Sequence, residues 1–256
     1  MHQTNDPTHP SSFILHPSVP PEELLAQLGP LVHEKVIVDN QTFVIARPEH
    51  SDRLLDHPAV MTAFEADEYM PYWADLWPAA RMLAKVILHE TWVPGTEALE
   101  IGCGLGLPGI VALSRGLKVT FSDYDACALR FAADNARLNG YKDFALLQLD
   151  WRGPPESLRV PVILASDLVY EIRNVAPLVA FVKKVLAPGG ICLLTDQDRI
   201  PSLTLRATLD TEGLSYSTQV LRAGEPGGRR LKGTLYRITN PSLGENRENR
   251  LPSVTR

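Results

Sequence analysis

The chain has 256 residues and a formal net charge of −5 at pH 7, with 25 basic and 30 acidic residues. This length accommodates one α/β domain with extra segments at its ends, and a hydrophobic share of 45% is ample for a core. The acidic balance argues against a general nucleic-acid binder, whose affinity rests on Lys and Arg contacts with phosphates. No run is long and apolar enough to cross a bilayer, and the three widely spaced cysteines include no CxxC pair. We therefore expect no membrane span, no metal site and no disulfide framework, and the cysteine pattern fits a cytoplasmic location.

The two ends of the chain differ in composition from the middle. Residues 1–21 are rich in Pro, His, Ser and Thr and lack a basic start followed by an apolar block, which predicts a disordered leader rather than a secretory signal. Residues 240–256 are polar and show no periodicity, which predicts a disordered tail. Residues 22–239 are expected to form one domain, whose first part, residues 22–94, is an N-terminal extension.

The N-terminal extension contains a hairpin pattern followed by a helix pattern. Residues 36–38 and 43–46 flank the turn-forming pair Asp39-Asn40. The helix pattern begins at Pro78, which a first helical turn tolerates, and its apolar residues at 80, 83, 84 and 87 share one stripe.

From residue 98 onward, strand and helix patterns alternate, which predicts a parallel sheet covered by helices on both faces. The strand patterns occupy residues 98–101, 119–122, 144–149, 162–166 and 191–195, and the helix patterns occupy residues 108–115, 125–139, 174–186 and 202–210. Two final strands, at residues 215–220 and 234–239, have no helix between them and are expected to pair antiparallel. In the helix at 125–139, Cys127, Phe131 and Leu138 are predicted to face inward. Asn135 of the same helix is predicted to be a hydrogen-bonded structural amide.

A glycine-rich turn, GCGLGLPG at residues 102–109, lies between the first strand of the alternating region and its helix. Ligands bind at the carboxyl ends of strands in an open α/β sheet, and glycines let the backbone approach a ligand closely, so the turn is placed to hold a cofactor. Asp123 ends the next strand, where a ribose would need an acid. Asp150 ends the third strand, where an adenine amino group would bind.

Two cofactor classes fit this turn. Residues 104–109 match the dinucleotide fingerprint GxGxxG, which is a weak signal on its own. Glu100, directly before the turn, favours a sulfonium methyl donor, because a carboxylate there can organise the turn and meet a cationic amino-acid group. The same charge would repel a pyrophosphate.

Four segments of the chain carry more specific motifs, namely YWADLWPAA at residues 72–80, LEIGCGLGLPGI at 99–110, LDW at 149–151 and SDLVYE at 166–171. Together they resemble the class I, seven-strand protein-lysine methyltransferases (methyltransferase-like family 16 type), over roughly residues 72–198. The resemblance implies an α/β fold with a Rossmann-like seven-strand sheet, helices on both faces and an antiparallel last strand, preceded by the hairpin and helix extension. It also implies S-adenosyl-L-methionine as the cofactor and a protein substrate that bears a target lysine.

The resemblance implies a cofactor site made of Trp77, Glu100, Gly102, Cys103, Gly104, Gly106, Asp123, Tyr124, Asp150, Trp151 and Ser166. In it, Glu100, Gly102 and Gly104 would cradle the methionine part of the cofactor. Asp123 would bind the ribose hydroxyls, and Trp77 would close over the donor. Asp150 and Trp151 would flank the adenine, and Cys103 would contribute its backbone.

Asp167 and Tyr170 are the predicted catalytic residues. Asp167 follows a strand that reads as buried, where a carboxylate without a partner would be costly, so a site role is favoured. The resemblance implies that Asp167 and Tyr170 form an Asp-x-x-Tyr element beside the transferred methyl group. Our hypothesis from their chemistry is that Asp167 binds the incoming ammonium and that Tyr170 helps to orient the amine lone pair.

Three other functions remain open at this point. A small-molecule or nucleic-acid-base methyltransferase would share the fold, but the chain lacks the Asn-Pro-Pro-Tyr motif typical of base-directed amino methyltransferases at residues 167–170. A non-catalytic binding module would be expected to have lost some of the acids, and a nicotinamide-dependent oxidoreductase is disfavoured by Glu100. Neither nucleic acid nor a membrane is the expected partner, and a monomer is favoured.

Overall fold

A computed structural model describes residues 28–224 and 230–241 of the protein. The predicted leader, residues 1–21, lies outside the described residues, as does the predicted tail apart from Asn240 and Pro241. Asn240 is buried and its Nδ2 donates to the Lys183 carbonyl at 3.1 Å, so the folded domain includes this residue. Within the described ranges, no helix has the length and apolar character needed to cross a membrane.

The N-terminal extension begins with an antiparallel hairpin, β1 (Leu31–Val38) and β2 (Gln41–Pro48), joined at the predicted turn. Asp39 adopts the positive φ of 52° that a tight turn requires. Val36 and Ile45 are fully buried, because alternate residues of both strands face the core. The hairpin is longer than its sequence pattern predicted, since the polar residues 33–35 interrupt the apolar pattern of β1.

Four helical segments lie between the hairpin and the first strand of the central sheet. They are a 3₁₀ turn (Ser51–Asp56), helix α1 (Pro58–Asp67), a second 3₁₀ turn (Tyr72–Ala74) and helix α2 (Pro78–His89). Only α2 is visible in the sequence pattern. Helix α1 begins with a proline after His57, whose Nδ1 accepts a hydrogen bond from Ala59 N–H at 3.2 Å.

The central sheet has seven strands: β3 (Glu97–Ile101), β4 (Lys118–Asp123), β5 (Ala145–Gln148), β6 (Val160–Ser166), β7 (Leu186–Asp196), β8 (Ser215–Ala223) and β9 (Leu231–Thr239). Their order is β5-β4-β3-β6-β7-β9-β8, and β9 runs in the direction opposite to the other six strands. This confirms the predicted seven-strand sheet with an antiparallel last strand. The chain moves outward from β3 to β5 and returns to β6 beside β3, so a crevice opens at the carboxyl ends of β3 and β6.

Helices cover both faces of the sheet, as predicted. The further helices are α3 (Leu107–Ser114), α4 (Ala126–Leu138), α5 (Ile172–Val185) and α6 (Pro201–Thr211). One buried cluster joins the hairpin with α2, α3 and α4 on one face, and a second joins α5 and α6 with the other face.

Two details of the sequence prediction were wrong. Leu138 is 46% exposed, although Cys127 and Phe131 of the same helix are buried as predicted. Leu138 is the last residue of α4 and lies beyond Ala136, the last buried position of that helix. Strand β7 begins at Leu186 rather than at residue 191, because Leu186 pairs with Val160 before the register shifts.

Two asparagines, Asn135 within α4 and Asn139 directly after it, bind the hairpin to the domain. Asn135 accepts a hydrogen bond from Ala46 N–H at 2.8 Å, and its Nδ2 donates to the carbonyls of Ala46 and Leu105. One turn later, Asn139 makes the same pair of bonds to the backbone of Val44. The prediction that Asn135 is a hydrogen-bonded structural amide is therefore confirmed.

Candidate active site

A cavity of about 350 Å³ lies at the carboxyl ends of β3, β4 and β6, over the glycine-rich turn. The predicted site residues on its wall are Trp77, Gly102, Cys103, Gly104, Gly106, Asp123, Tyr124, Trp151, Ser166, Asp167 and Tyr170. The structure therefore brings eleven of the thirteen predicted residues together, and Glu100 and Asp150 are the two that it does not place on this wall. The volume is in the range typical of small-molecule sites.

The glycine-rich turn is shaped by three glycines with positive φ. Gly102, Gly104 and Gly106 have φ values of 56°, 50° and 81°. A Cβ on Gly102 would lie 2.5 Å from a methyl group of Leu168, and one on Gly106 would lie 2.9 Å from Ala132 Cβ. These positions need glycine both for conformation and for space.

Asp123 binds the turn through its carboxylate. Its Oδ2 accepts a hydrogen bond from Gly104 N–H at 3.0 Å, and its Oδ1 accepts one from Asp125 N–H at 3.0 Å. Burial and, next, the nearby Asp125 charge raise the pKa of Asp123 to about 7. Because the Gly104 amide is used in this way, Gly104 lines the cavity with its carbon rather than with a free donor.

Glu100 lies beneath the turn. It is 2% exposed and accepts a hydrogen bond from Gly109 N–H at 2.9 Å. Burial raises the pKa of Glu100 well above its usual value. The carboxylate organises the turn, as expected, but the described structure does not place it where it would meet the amino-acid part of a cofactor.

Asp150 lines a neighbouring hollow together with Tyr124, Trp151 and Tyr170, and these three residues also line the cavity. The Asp150 carboxylate pairs with Arg152, whose Nη2 is 2.6 Å from Asp150 Oδ2. An adenine amino group would therefore share Asp150 with this arginine, so the adenine role of Asp150 stays a prediction.

A row of aromatic rings from the N-terminal extension covers the cavity. Tyr72 packs edge-on against Tyr170 at 5.2 Å and against Trp77 at 5.9 Å between ring centroids. Trp77 Nε1 donates to the Tyr72 carbonyl at 2.7 Å, which fixes the indole. The guanidinium of Arg199 lies 5.6 Å from the centre of the Trp77 ring, at cation–π distance.

Asp167 holds an unusual position at the end of β6. Its φ of 58° is in the left-handed region, and its backbone N–H donates to the Thr195 carbonyl at 2.9 Å. Its Oδ2 accepts hydrogen bonds from Gln197 Nε2 and from Arg199 Nη2, the latter at 3.2 Å. Its Oδ1 is buried and has no partner among the described residues. Burying such an atom without a donor is costly, so this oxygen is able to accept a hydrogen bond from a ligand in the cavity.

Burial raises the pKa values of three ionisable groups in the cavity, those of Tyr170, Cys103 and Asp167. Burial, followed by the Glu171 and Asp123 charges, raises the pKa of Tyr170 to about 12, so its phenol keeps its proton at neutral pH. Burial also raises the pKa of the Cys103 thiol well above its usual value, so the thiol keeps its proton at neutral pH. Burial raises the pKa of Asp167 as well, although the Arg199 charge and the Gln197 hydrogen bond oppose the shift.

Gln197 and Arg199 were not predicted as site residues. They follow β7, the neighbour of β6, and meet Asp167 because parallel strands end at the same edge of the sheet. The run Asp196–Arg199 was the available signal, since polar residues after a buried strand also singled out Asp167. Tyr72 begins the motif at residues 72–80 but was not predicted as a site residue, because its contact with Tyr170 depends on the tertiary fold.

The acidic and basic side chains on the cavity wall indicate whether a cationic methyl donor or a dinucleotide fits better. The charged residues on the wall are Asp75, Asp123, Asp167, Glu171 and Arg199, so four acids face one base. Such a wall favours a cationic ligand and disfavours a pyrophosphate. Asp123 and Trp151 supply an acid and an apolar ring suited to a nucleoside, so the residues present fit S-adenosylmethionine.

Comparison with known proteins finds similarity to curated methyltransferases that act on proteins. Two curated relatives are the histone-arginine methyltransferase METTL23 of Rattus norvegicus, 31% identical over 121 residues, and the histidine protein methyltransferase 1 homolog of Dictyostelium discoideum, 32% identical over 129 residues. The matches cover 44% and 48% of this chain, and 54% and 42% of the relatives. The chain thus spans about half the length of the curated relatives that it matches.

A solved structure shares the fold. The ribosomal protein L11 methylase of Lactobacillus delbrueckii subsp. bulgaricus superposes with a TM-score of 0.52 at 20% identity, covering 63% of this chain and 77% of that chain. At this identity the likeness supports the sheet and helix arrangement alone. The family model described as lysine methyltransferase matches residues 64–204, which is more than half of the sequence and includes both the aromatic cover and Asp167. The chain therefore belongs to the lysine methyltransferase family, whose cofactor is S-adenosylmethionine.

Proposed function

We propose that the protein transfers a methyl group from S-adenosylmethionine to a lysine side chain of another protein. The observation that carries the proposal is the buried Oδ1 of Asp167, which has no hydrogen-bond partner in the described part of the chain and lies on a cavity wall with four acids and one base. That oxygen can accept a hydrogen bond from an N–H group, and the acidic wall attracts a cationic side chain.

The roles of the residues follow from their contacts. A bound sulfonium supplies an activated methyl group, so the protein mainly has to position the acceptor and control its charge. Asp167 receives the incoming ammonium on Oδ1 while Gln197 and Arg199 hold Oδ2 in place. Tyr170, which keeps its proton, orients the amine and does not act as a base.

The lysine amine has to lose a proton before it attacks. Its ordinary pKa is about 10.4, so neutralising it at pH 7 costs roughly 4–5 kcal/mol. Burial beside a positive sulfur lowers that cost through desolvation and like-charge repulsion. The Asp167 carboxylate opposes deprotonation by attraction, and for this reason we assign it a positioning role rather than that of a strong base.

A protein arginine is the second candidate acceptor. One curated relative is a histone-arginine methyltransferase, and the Asp167 carboxylate already pairs with a guanidinium, that of Arg199. Small molecules and nucleic-acid bases remain further alternatives on the same fold. We also propose a cytoplasmic, monomeric protein that does not act on nucleic acid. The three described cysteines, all buried and free, support the cytoplasmic location.

One labelling experiment separates these acceptors. The protein and methyl-labelled S-adenosylmethionine are incubated with an extract of the protein's own host from which its gene has been deleted, and mass spectrometry locates the label. We expect label on lysine. Label on arginine would support the second candidate, label on a metabolite or RNA would favour the alternatives, and no label with normal cofactor binding would indicate a non-catalytic module.

The variant Asp167→Asn tests the assigned role. It keeps the shape of the side chain but removes its charge, so the acceptor is misplaced. We expect kcat/KM to fall about a hundredfold or more, while cofactor affinity stays the same. The control is Asp134→Asn on α4, where the acid is half exposed and pairs with Arg130 and Arg137. Turnover of Asp167→Asn at the wild-type rate would remove the positioning role.

A further inference from the structure

A second hollow, of about 470 Å³, lies beside the active-site cavity, between α6 and the outer strands β8 and β9. We call it the α6 groove, and its defining residues are Arg199, Ile200, Leu203, Arg206, Val220 and Lys232. Arg199 lines both the groove and the cavity, so the two hollows are neighbours. A polypeptide with its acceptor side chain in the cavity would continue into this groove.

The groove has an apolar floor that faces solvent. Ile200, Leu203 and Val220 are 81%, 73% and 59% exposed. Ile200 and Leu203 are three residues apart at the start of α6 and therefore lie on one face, opposite Val220 of β8. Single exposed aliphatic residues are common, but three that line one hollow indicate an interaction site.

The charge of the groove is opposite to that of the whole chain. Arg199, Arg206 and Lys232 line it, against one acid, Asp198, in a protein of net charge −5. Arg206 is fixed in place, because its Nε donates to the buried Tyr236 hydroxyl at 3.0 Å. Lys232 Nζ forms a long ion pair with Asp198 Oδ2 at 3.8 Å, and its side chain is 56% exposed, so a partner can reach it.

We propose that the α6 groove binds the substrate segment next to the acceptor residue and selects a segment with an acidic and an aliphatic side chain. This inference rests on the proposed function, since it assumes a polypeptide substrate. Cations alone would suit a nucleic acid, but three exposed aliphatic side chains give a phosphate backbone nothing to contact. Both features together fit an acidic, aliphatic peptide.

The length of the groove limits where those side chains lie. The helix from Ile200 to Arg206 rises about 9 Å. This equals about three residues of extended chain. Because the groove meets the cavity at Arg199, these three residues and a short connection to the acceptor place the recognised side chains within about five residues of it.

Short synthetic peptides test the proposal directly. Each fluorescent peptide has one central lysine, with Glu and Leu placed within five residues on either side. In one matched peptide Arg replaces Glu, and in another Ser replaces Leu. Binding is followed by fluorescence anisotropy in the presence of S-adenosylhomocysteine, and methyl transfer is measured separately with labelled donor.

The protein variants are chosen to leave the cavity untouched. Leu203→Glu and Lys232→Glu change the groove, and their controls are Val93→Glu, at a residue 74% exposed before β3, and Lys118→Glu, at the exposed amino end of β4. We expect the Glu/Leu peptide to bind about tenfold more tightly than either matched peptide, a difference of about 1.4 kcal/mol. Each groove variant should lose this preference, and each control should keep it.

The two readouts separate failure of this inference from failure of the proposed function. Selective binding without methyl transfer supports the groove and contradicts lysine methylation of these peptides. Methyl transfer that ignores the flanking residues, or groove variants that behave like their controls, overturns the groove proposal alone. The proposal is also overturned if none of the peptides binds, or if a single-stranded RNA of equal charge binds as tightly as the Glu/Leu peptide.

Discussion

Asp123 and Asp167 are both buried acids at the carboxyl ends of parallel strands, β4 and β6, which flank β3, yet their hydrogen-bonding groups are satisfied in different ways. Both oxygens of Asp123 accept backbone N–H groups of the surrounding turns. Asp167 has side-chain donors on one oxygen only, and the other oxygen has no partner among the described residues. Asp123 therefore shapes the glycine-rich turn without a ligand, whereas Asp167 keeps one oxygen able to accept a hydrogen bond from a ligand.

The raised pKa of Asp123 predicts a pH-dependent cofactor affinity. Ribose hydroxyls donate to the ionised carboxylate and favour it, so affinity should rise as the pH increases through about 7. The same shift predicts that the unliganded protein loses stability as the pH rises from the ordinary value of 3.8 to about 7, because the folded state holds the proton more tightly. Calorimetry with S-adenosylhomocysteine between pH 5.5 and 8.5 measures the first effect.

The matched variant for this prediction is Asp123→Asn, which has no proton to lose at this position. It should bind the cofactor product more weakly at pH 8 and show a flatter pH profile. If the wild-type affinity does not change across this range, or the variant keeps the same slope, then the titration of Asp123 does not control binding.

At the scale of single elements, the glycine-rich turn and the start of α3 are packed directly on α4. Gly106 precedes α3 with a φ of 81°, and the space beside its Cα is filled by Ala132 of α4 and by Phe121 of β4. The position thus combines a conformational requirement with a steric one. The turn cannot shift outward without changing the floor of the cavity.

Gly106→Ala is predicted to destabilise the protein and weaken cofactor binding. Gly140 is the control, because it has a similar φ of 87° but nothing within 4 Å of an added Cβ. Gly140→Ala should cost roughly 1–3 kcal/mol of unfolding free energy through backbone strain alone. Gly106→Ala should cost more, since the strain is joined by overlap with Ala132. Chemical denaturation measures both, and equal losses would mean that packing against α4 is unimportant.

The elements differ in how far the sequence predicted them. The alternating strands and the glycine-rich turn were predicted because their apolar runs and glycines are local signals. Helix α1 was missed because residues 58–67 show no continuous apolar stripe, and the contact of Arg199 with Asp167 was missed because it joins two strands that are adjacent only in the folded sheet. Leu138 was misplaced because periodicity gives the face of a helix but not where the core ends.

At the scale of the whole molecule, the N-terminal hairpin and the methyl-donor cavity are connected through α4. Asn135 bonds to Ala46 of β2 and also to the carbonyl of Leu105 in the glycine-rich turn. Val36 and Ile45 of the hairpin belong to the same buried cluster as Leu107 of α3. The extension is therefore part of the domain core, and we expect one cooperative unfolding transition for both.

Asn135 and Asn139 allow this connection to be tested, because both bind the hairpin but only Asn135 also binds the glycine-rich turn. Asn135→Ala leaves the Ala46 N–H and two carbonyls without partners, so the unfolding free energy should fall by about 2–4 kcal/mol. Affinity for S-adenosylhomocysteine should fall about tenfold with it, because the turn loses a support. Asn139→Ala should lower stability through the lost Val44 bonds while cofactor affinity changes less than about twofold. Denaturation measures the stability of the two variants, and calorimetry measures their affinity for S-adenosylhomocysteine. Equal losses of affinity would show that the hairpin, and not the Leu105 bond, supports the turn. No loss of affinity in either variant would show that the turn keeps its shape without these amide bonds.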